Sequence, residues 1–206
     1  MAGFATNSGS PPHSIPITAH DILGAFETMR GDLGTMQHPA PAQQVEFVIA
    51  NDTELTWHRM GDALHAGDWL EAALPPEVIS GFQAVGATAE NSAGGVGASI
   101  GFRHDFHDES VGPLSAFFIV FGACPKSTAD RVELYSGVMP KRALDSMAHD
   151  GNEFVLRIGE KLEDRGGERR AQHTHITLGD LDLALTATYS GTEPGVVELA
   201  ITRVEI

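Results

Sequence analysis

The sequence contains a single cysteine, Cys124, among its 206 residues. One cysteine excludes an intrachain disulfide, so the fold must be held together by noncovalent packing. Cys124 follows the apolar run of residues 117–121. We therefore expect it to be a buried, small hydrophobic side chain with no reactive role.

Basic residues are also scarce: 13 Lys and Arg stand against 28 Asp and Glu, a net charge of −15. Binding to nucleic acid depends mainly on Lys and Arg that neutralise phosphates. The one basic cluster, Arg165, Arg169 and Arg170, is preceded by Asp164 and interrupted by Glu168. We therefore expect no nucleic acid partner, and long-range attraction to anionic lipid is disfavoured. Zwitterionic lipid, sugar and protein partners remain open.

Long apolar runs are missing as well. No stretch approaches the roughly 20 residues that a membrane-spanning helix needs. Residues 1–16 have neither the basic start nor the apolar run of a secretory signal. We therefore expect a cytoplasmic protein, or one secreted without a cleaved signal peptide.

The first part of the chain is predicted to contain a flexible lead and an amphipathic helix. Residues 1–16 are rich in Gly, Ser and Pro, which is typical of a flexible segment. Residues 17–33 carry apolar side chains at helical spacing, which predicts a helix with one apolar side. That apolar side consists of Ile22, Leu23, Phe26, Met29 and Leu33.

From residue 45 onward the pattern changes to short β-rich segments separated by turn residues, which favours an all-β sandwich. The predicted strands are 45–50, 55–59, 78–85, 96–106, 114–122, 131–136, 153–158, 172–178, 181–189 and 195–204. The last two are predicted to pair as a hairpin with one buried face. A short helix is predicted within residues 138–150. We expect residues 17–206 to form one domain, mainly β, with the N-terminal helix as part of it.

The order of these parts resembles that of actinoporin-like and aegerolysin-like pore-forming proteins. The resemblance begins with the amphipathic segment and continues through common residue types in the family's order. Its elements are Asn51-Asp52-Thr53, Thr56-Trp57, Ala66-Gly67, Leu74-Pro75, Gly95-Val96-Gly97, the apolar strand that leads to Pro125, the Tyr135 strand and the closing hairpin.

The resemblance implies a non-enzymatic, cytolysin-like protein or toxin that becomes membrane-associated when active. It implies lipid binding by the loops of the sandwich, homo-oligomers on the membrane, and pore formation by insertion of residues 17–33. The candidate lipid-binding residues are Trp69, Pro125 and Tyr135. No catalytic residue, metal or cofactor is implied. The chain departs from the family at residues 126–130, because the family's loop there is rich in Tyr and Trp whereas this one has no aromatic residue.

Two other functions remain open from the sequence. One is a lectin-like sandwich that binds a glycan or a protein without forming pores. The other is a metal-dependent enzyme that uses His104, His107, His173 and His175, because imidazole and carboxylate side chains are common metal ligands. In an extended segment, His173 and His175 would share one strand face. The serines lack the sequence context of a nucleophile elbow.

Overall fold

The structure, a computed structural model, describes residues 43–124, 131–165, 168–191 and 194–204. Within them, eleven strands form two sheets, which confirms the predicted β-sandwich. The predicted flexible lead (1–16), the predicted helix (17–33) and Pro125 lie outside the described residues.

Six strands form the first sheet. They are β1 (Gln43–Asp52), β3 (Asp68–Trp69), β5 (Gln83–Asn91), β9 (Ala171–Leu178), β10 (Leu181–Ser190) and β11 (Gly195–Arg203). Their order is β3-β5-β1-β11-β10-β9. β1 and β11 are parallel, and the other neighbours are antiparallel.

Five antiparallel strands form the second sheet. They are β2 (Trp57–Ala66), β4 (Val78–Ile79), β6 (Val96–Asp108), β7 (Gly112–Cys124) and β8 (Arg131–Pro140). Their order is β4-β2-β6-β7-β8. A short 3-10 helix, Glu71–Ala73, precedes β4.

The main core lies between the two sheets and confirms the predicted closing hairpin. Leu185 of β10 and Ile201 of β11 are paired in register, and both are fully buried. Alternate residues along both strands point into the same core, as expected where one sheet face is covered. Trp57 and Cys124 are buried there too, so the expectation that Cys124 behaves as a buried hydrophobic side chain is confirmed.

β7 is buried on both faces. Phe118 and Val120 enter the core between the sheets, whereas Phe117, Ile119 and Phe121 point to the outer face of the second sheet. Two helices cover that outer face. This two-sided burial explains the continuous apolar run in the sequence, since a strand covered on one side only would alternate.

The two helices are α1 (Lys141–Met147) and α2 (Gly151–Glu163). α1 confirms the short helix predicted within 138–150. The strand predicted over 153–158 is wrong, because these residues belong to α2. The Asp150 side chain caps α2 by accepting a hydrogen bond of 3.0 Å from the Glu153 backbone N–H. Neither helix of the described part combines the length and apolar character needed to cross a membrane.

α2 packs directly on β2 through glycine. A Cβ on Gly151 would lie 1.7 Å from the Met60 carbonyl oxygen, and one on Gly61 would lie 2.4 Å from the Gly151 backbone. The Asn152 side chain accepts a 3.0 Å hydrogen bond from the Asp62 backbone N–H at the same contact. The N-terminus of α2 is therefore fixed on the sheet at backbone-to-backbone distance.

Candidate functional site

The structure describes two of the predicted lipid-binding residues, Trp69 and Tyr135, and places them on different sheets. Trp69 lies on β3 of the first sheet, half-buried, with its ring centroid 6.0 Å from that of Phe47. Tyr135 lies midway along β8 of the second sheet, 38% exposed and beside Phe117. β3 pairs with the last part of β5, so Trp69 lies toward the end of the sandwich where β7 finishes at Cys124. No contact joins Trp69 to Tyr135 among the residues described.

The opposite end of the sandwich carries a feature that the sequence reasoning missed. Three turns lie at that end: residues 53–56, 80–82 and 109–111. The Phe82 backbone N–H donates to the Thr53 carbonyl oxygen over 2.9 Å. β6 ends at this same end because it pairs antiparallel to β2, which begins there. We name these three turns the Phe82 end.

Phe82 and Val111 are the two most exposed large hydrophobic residues in the described part of the chain. They are 64% and 66% exposed, and each occupies the tip of a turn at the Phe82 end. Isolated exposed hydrophobic residues are common on protein surfaces. Two such residues on turns at one end of the sandwich make that end a candidate contact surface.

The backbone of Phe82 is also unusual. Its φ is 55°, which makes it the one non-glycine residue with positive φ in the described ranges. For a bulky side chain this conformation costs about 1–2 kcal/mol, and an outlier of this kind motivates a functional hypothesis. The turn is also tight at the preceding residue, since a Cβ on Gly81 would lie 2.8 Å from the Glu54 carbonyl oxygen. The turn therefore holds an aromatic ring in solvent at the expense of backbone strain.

The charge at the Phe82 end is acidic. Asp52, Glu54, Asp108 and Glu109 lie in or next to its turns, and Glu54 forms an ion pair with Arg203. Hydrogen bonds from the Ser110 hydroxyl and from the Ser110 and Val111 backbone N–H groups hold the pKa of Asp108 below its usual value. This carboxylate therefore stays ionised. An apolar, acidic surface suits a neutral or zwitterionic membrane better than an anionic one.

An open cleft of about 600 Å³ lies between the second sheet and the two helices. Its polar lining consists of His58, Arg59, Arg103, Asp105, Asp145 and His149. Arg103 donates to Asp145 over 2.6 Å, and Lys141 lies 3.0 Å from both Asp105 and Asp145. Because its charged groups are already paired with one another, the cleft is better explained as the junction that fixes α1 to β6 than as an ion-binding site.

The pKa values in this cleft follow the pairing. Burial alone would raise the pKa of Asp105, but hydrogen bonds from Ser115 and Lys141 and the charge of Arg103 lower it overall. Hydrogen bonds from Arg103 and Lys141 lower the pKa of Asp145, and those to Asp105 and Asp145 raise the pKa of Lys141. All these groups are therefore held in their charged forms, and none is set up as a general acid or base near neutral pH.

Ser99, His65 and Glu163 lie next to one another in the spatial order of a catalytic nucleophile, its general base and the acid that orients the base. His65 Nε2 lies 2.8 Å from Ser99 Oγ, and His65 Nδ1 lies 3.7 Å from a Glu163 oxygen, which is too long for a hydrogen bond. Ser99 is fully buried beneath α2, where a Cβ on Gly159 would lie 2.3 Å from both Ser99 Oγ and His65 Nε2. A substrate carbonyl cannot reach Ser99 in this arrangement.

The four histidines of the metal-dependent alternative are separated. His104 and His107 lie on β6 of the second sheet, and the His104 ring contacts the Thr56 carbonyl oxygen at 2.9 Å. His173 and His175 lie on β9 of the first sheet. Within the described ranges, no group of three or more His, Cys, Asp or Glu residues is arranged to hold a metal ion. A site that joins all four histidines is therefore not assembled.

Comparison with solved structures gives a likeness of fold. No family model and no curated protein matches the chain. The crystal structure of the lipid-binding protein Nakanori aligns with a TM-score of 0.56 at 15% sequence identity, covering 88% of this chain and 80% of Nakanori. At this identity the likeness shows the fold alone. Nakanori has an actinoporin-like fold, so the predicted resemblance is supported at the level of architecture.

Proposed function

We propose that this protein is a non-enzymatic, membrane-interacting protein that binds neutral or zwitterionic lipid through the Phe82 end of its sandwich. The observation that carries the proposal is the likeness of its fold, across most of the chain, to a protein that binds lipid. The exposed Phe82 and Val111 then supply a surface for the same role, and the acidic turns around them give it a preference against anionic lipid.

The size of this contact supports binding by several copies. Full burial of a Phe or Val side chain is worth about 1.5–3 kcal/mol, and these side chains are already partly buried. Contacts from two turn tips therefore give a single molecule only a weak affinity for a bilayer. Linking several weak contacts on one surface raises the overall affinity greatly without any new contact. Homo-oligomerisation on the membrane is therefore part of the proposal.

Pore formation is the finer part of the proposal and depends on residues 17–33. At 1.5 Å per residue, a helix of this length spans about 25 Å, slightly less than the roughly 30 Å hydrocarbon core. Its apolar positions, such as Phe26 and Met29, would face lipid, whereas Asp21, Glu27 and Asp32 would face an aqueous lumen. Residues 1–16 would supply the remaining length.

The absence of enzymatic activity is also proposed. It is supported by the burial of Ser99 under Gly159 and by the mutual pairing of the charged groups that line the cleft. Neither place offers both an accessible nucleophile and a titrating base, which most acyl-transfer and hydrolytic mechanisms require.

Vesicle binding tests the proposal. The full chain is sedimented with phosphatidylcholine vesicles, alone and with sterol or sphingolipid, and with anionic vesicles. Binding to at least one neutral composition is expected, with weaker binding to anionic vesicles, and dye release from the bound vesicles would support the pore step. If the protein binds none of the neutral compositions, the proposal is overturned. A specific glycan-array signal in that case would favour the lectin-like alternative.

Two variants locate the contact. Phe82→Gly is expected to lose vesicle binding, because it removes the exposed ring while keeping a residue that tolerates positive φ. Met147→Ser is the matched control, because Met147 is similarly exposed but belongs to α1 and to none of the three turns of the Phe82 end. Equal loss of binding in both variants would contradict the assignment to this surface.

A further inference from the structure

His173 and His175 form a close pair on the exposed side of β9. They are two residues apart on a strand, so both side chains project from the same face. Their Nε2 atoms lie 2.7 Å apart, and their rings meet edge to face with centroids separated by 4.5 Å. Both residues are exposed. Two imidazoles therefore bring one ring nitrogen each to within 2.7 Å of the other on an exposed strand face.

A neighbouring strand holds one of the two rings. Thr186 of β10 is the register partner of His173, and its Oγ1 lies 2.9 Å from His173 Nδ1. When Nδ1–H donates to this hydroxyl, the lone pair of His173 is on Nε2, the nitrogen that faces His175. A hydrogen bond from the second ring nitrogen is the usual way in which proteins orient a metal-binding histidine.

We propose that His173 and His175 form a binding site for one divalent transition-metal ion of the kind that prefers imidazole, such as Zn²⁺, Ni²⁺ or Cu²⁺. Two nitrogen ligands of a tetrahedral zinc ion are about 3.3 Å apart, so the pair would need to open by only about 0.6 Å from its present 2.7 Å separation. A rotation of the two exposed rings is enough for this change.

The site has two protein ligands and leaves the other coordination positions to water or an external ligand. No third His, Cys, Asp or Glu completes it in the part of the chain that the structure describes. For His175 to bind the metal through Nε2, the proton on Nε2 must move to Nδ1 by exchange with solvent. This change of tautomer leaves the imidazole neutral. The proposal does not rest on lipid binding, since β9 lies in the first sheet and the Phe82 turn does not involve it.

Zn²⁺ titration of the full, untagged chain by calorimetry tests the site. The titration is run at about pH 7.5, because zinc binds the neutral form of imidazole. The unmodified protein is expected to bind one more Zn²⁺ per chain than the double variant His173→Ala/His175→Ala. Equal stoichiometry and affinity in the two proteins would overturn the proposal.

Two further variants separate this site from other histidines. Thr186→Val removes the hydroxyl that orients His173 and is expected to weaken Zn²⁺ binding at this site by about tenfold or more. His107→Ala removes an exposed histidine on the other sheet and is expected to leave that binding unchanged. Imidazole ¹⁵N spectra give an independent readout: Zn²⁺ should shift the Nε2 signals of His173 and His175, and unshifted signals would contradict the assignment.

Discussion

His65 Nε2 lies 2.8 Å from Ser99 Oγ, and α2 crosses directly over this pair at Gly159. The His65 ring also packs edge-on against Phe121, with centroids 5.2 Å apart. A buried polar pair is stable here because each partner satisfies the other. The hydrogen bond therefore belongs to the packing of α2 on the second sheet, and it fixes how close the helix backbone can approach.

The first prediction concerns that close approach. Gly159→Ala places a methyl group 2.3 Å from both His65 Nε2 and Ser99 Oγ, so the helix must lift or the pair must break. Overpacking of this kind costs about 1–3 kcal/mol, and we expect a loss of that size in the free energy of unfolding measured with urea.

Gly94→Ala is the control for Gly159→Ala. The nearest atom to a Cβ at Gly94 is the side-chain nitrogen of Asn91, at 3.6 Å, which is an ordinary contact. We expect little change in the free energy of unfolding for this variant. Equal losses for the two alanine variants would show that α2 does not pack on the His65–Ser99 pair as described.

The second prediction concerns pH. Burial lowers the pKa of His65, although Glu163 and Glu160 act in the opposite direction. The folded protein therefore binds a proton at His65 less readily than the unfolded chain does, so this residue makes the free energy of unfolding rise with pH. The stabilising contribution is fully present above the unfolded pKa of about 6.5 and is lost as the pH falls toward the lower folded value.

Replacement of the titrating group checks this dependence. In His65→Gln the amide can still hydrogen-bond to Ser99, but it carries no proton that titrates in this range. We expect the free energy of unfolding of the unmodified protein to fall more steeply than that of His65→Gln as the pH is lowered below about 6.5. Parallel pH profiles would contradict the assignment to His65.

The third prediction separates stability from lipid binding at Phe82. Gly tolerates the positive φ of this position, so Phe82→Gly should relieve backbone strain of about 1–2 kcal/mol. The greater flexibility of Gly in the unfolded chain should offset part of this stabilisation. We expect an unchanged or slightly raised melting temperature together with loss of vesicle binding. A clear fall in the melting temperature would show that the Phe82 ring stabilises the fold.

The sequence carried enough information for the sandwich and for α1, but not for α2. Regular short β-rich segments predicted the two sheets and the closing hairpin correctly. The apolar pattern of residues 153–158 predicts a strand, whereas Asp150 followed by Glu153 is the spacing of a helix N-terminal cap. The apolar run at 117–121 was a second missed signal, because a strand with no polar alternation requires cover on both of its faces.

The Phe82 end could not be read from the sequence for a physical reason. Residues 53–56, 80–82 and 109–111 are distant in sequence, and strand register places them at one end of the sandwich. The exposure of Phe82 follows from a positive φ that a Phe rarely adopts, so propensity argues against it. The turn that carries Val111 is easier to predict from the sequence, because Asp is common at the start of turns. Asp108 accepts hydrogen bonds there from the backbone N–H groups of Ser110 and Val111.

The last prediction compares the two ends of the sandwich. Trp69→Phe should keep the ring contact with Phe47 and remove an indole N–H that is buried without a hydrogen-bond partner among the described residues. Such an unpaired group costs about 1–3 kcal/mol, which offsets the smaller buried area of Phe, so we expect a change in the free energy of unfolding within about 1 kcal/mol.

Vesicle sedimentation then decides which end meets the membrane. If Trp69 is only a packing residue, Trp69→Phe and Trp69→Leu should bind neutral vesicles like the unmodified protein, whereas Val111→Ser should weaken binding because Val111 shares the Phe82 end. The reverse result, with both Trp69 variants folded but defective and Val111→Ser unaffected, would move the lipid contact to the end of the sandwich near Cys124. That outcome would favour the surface predicted from Trp69 and Pro125.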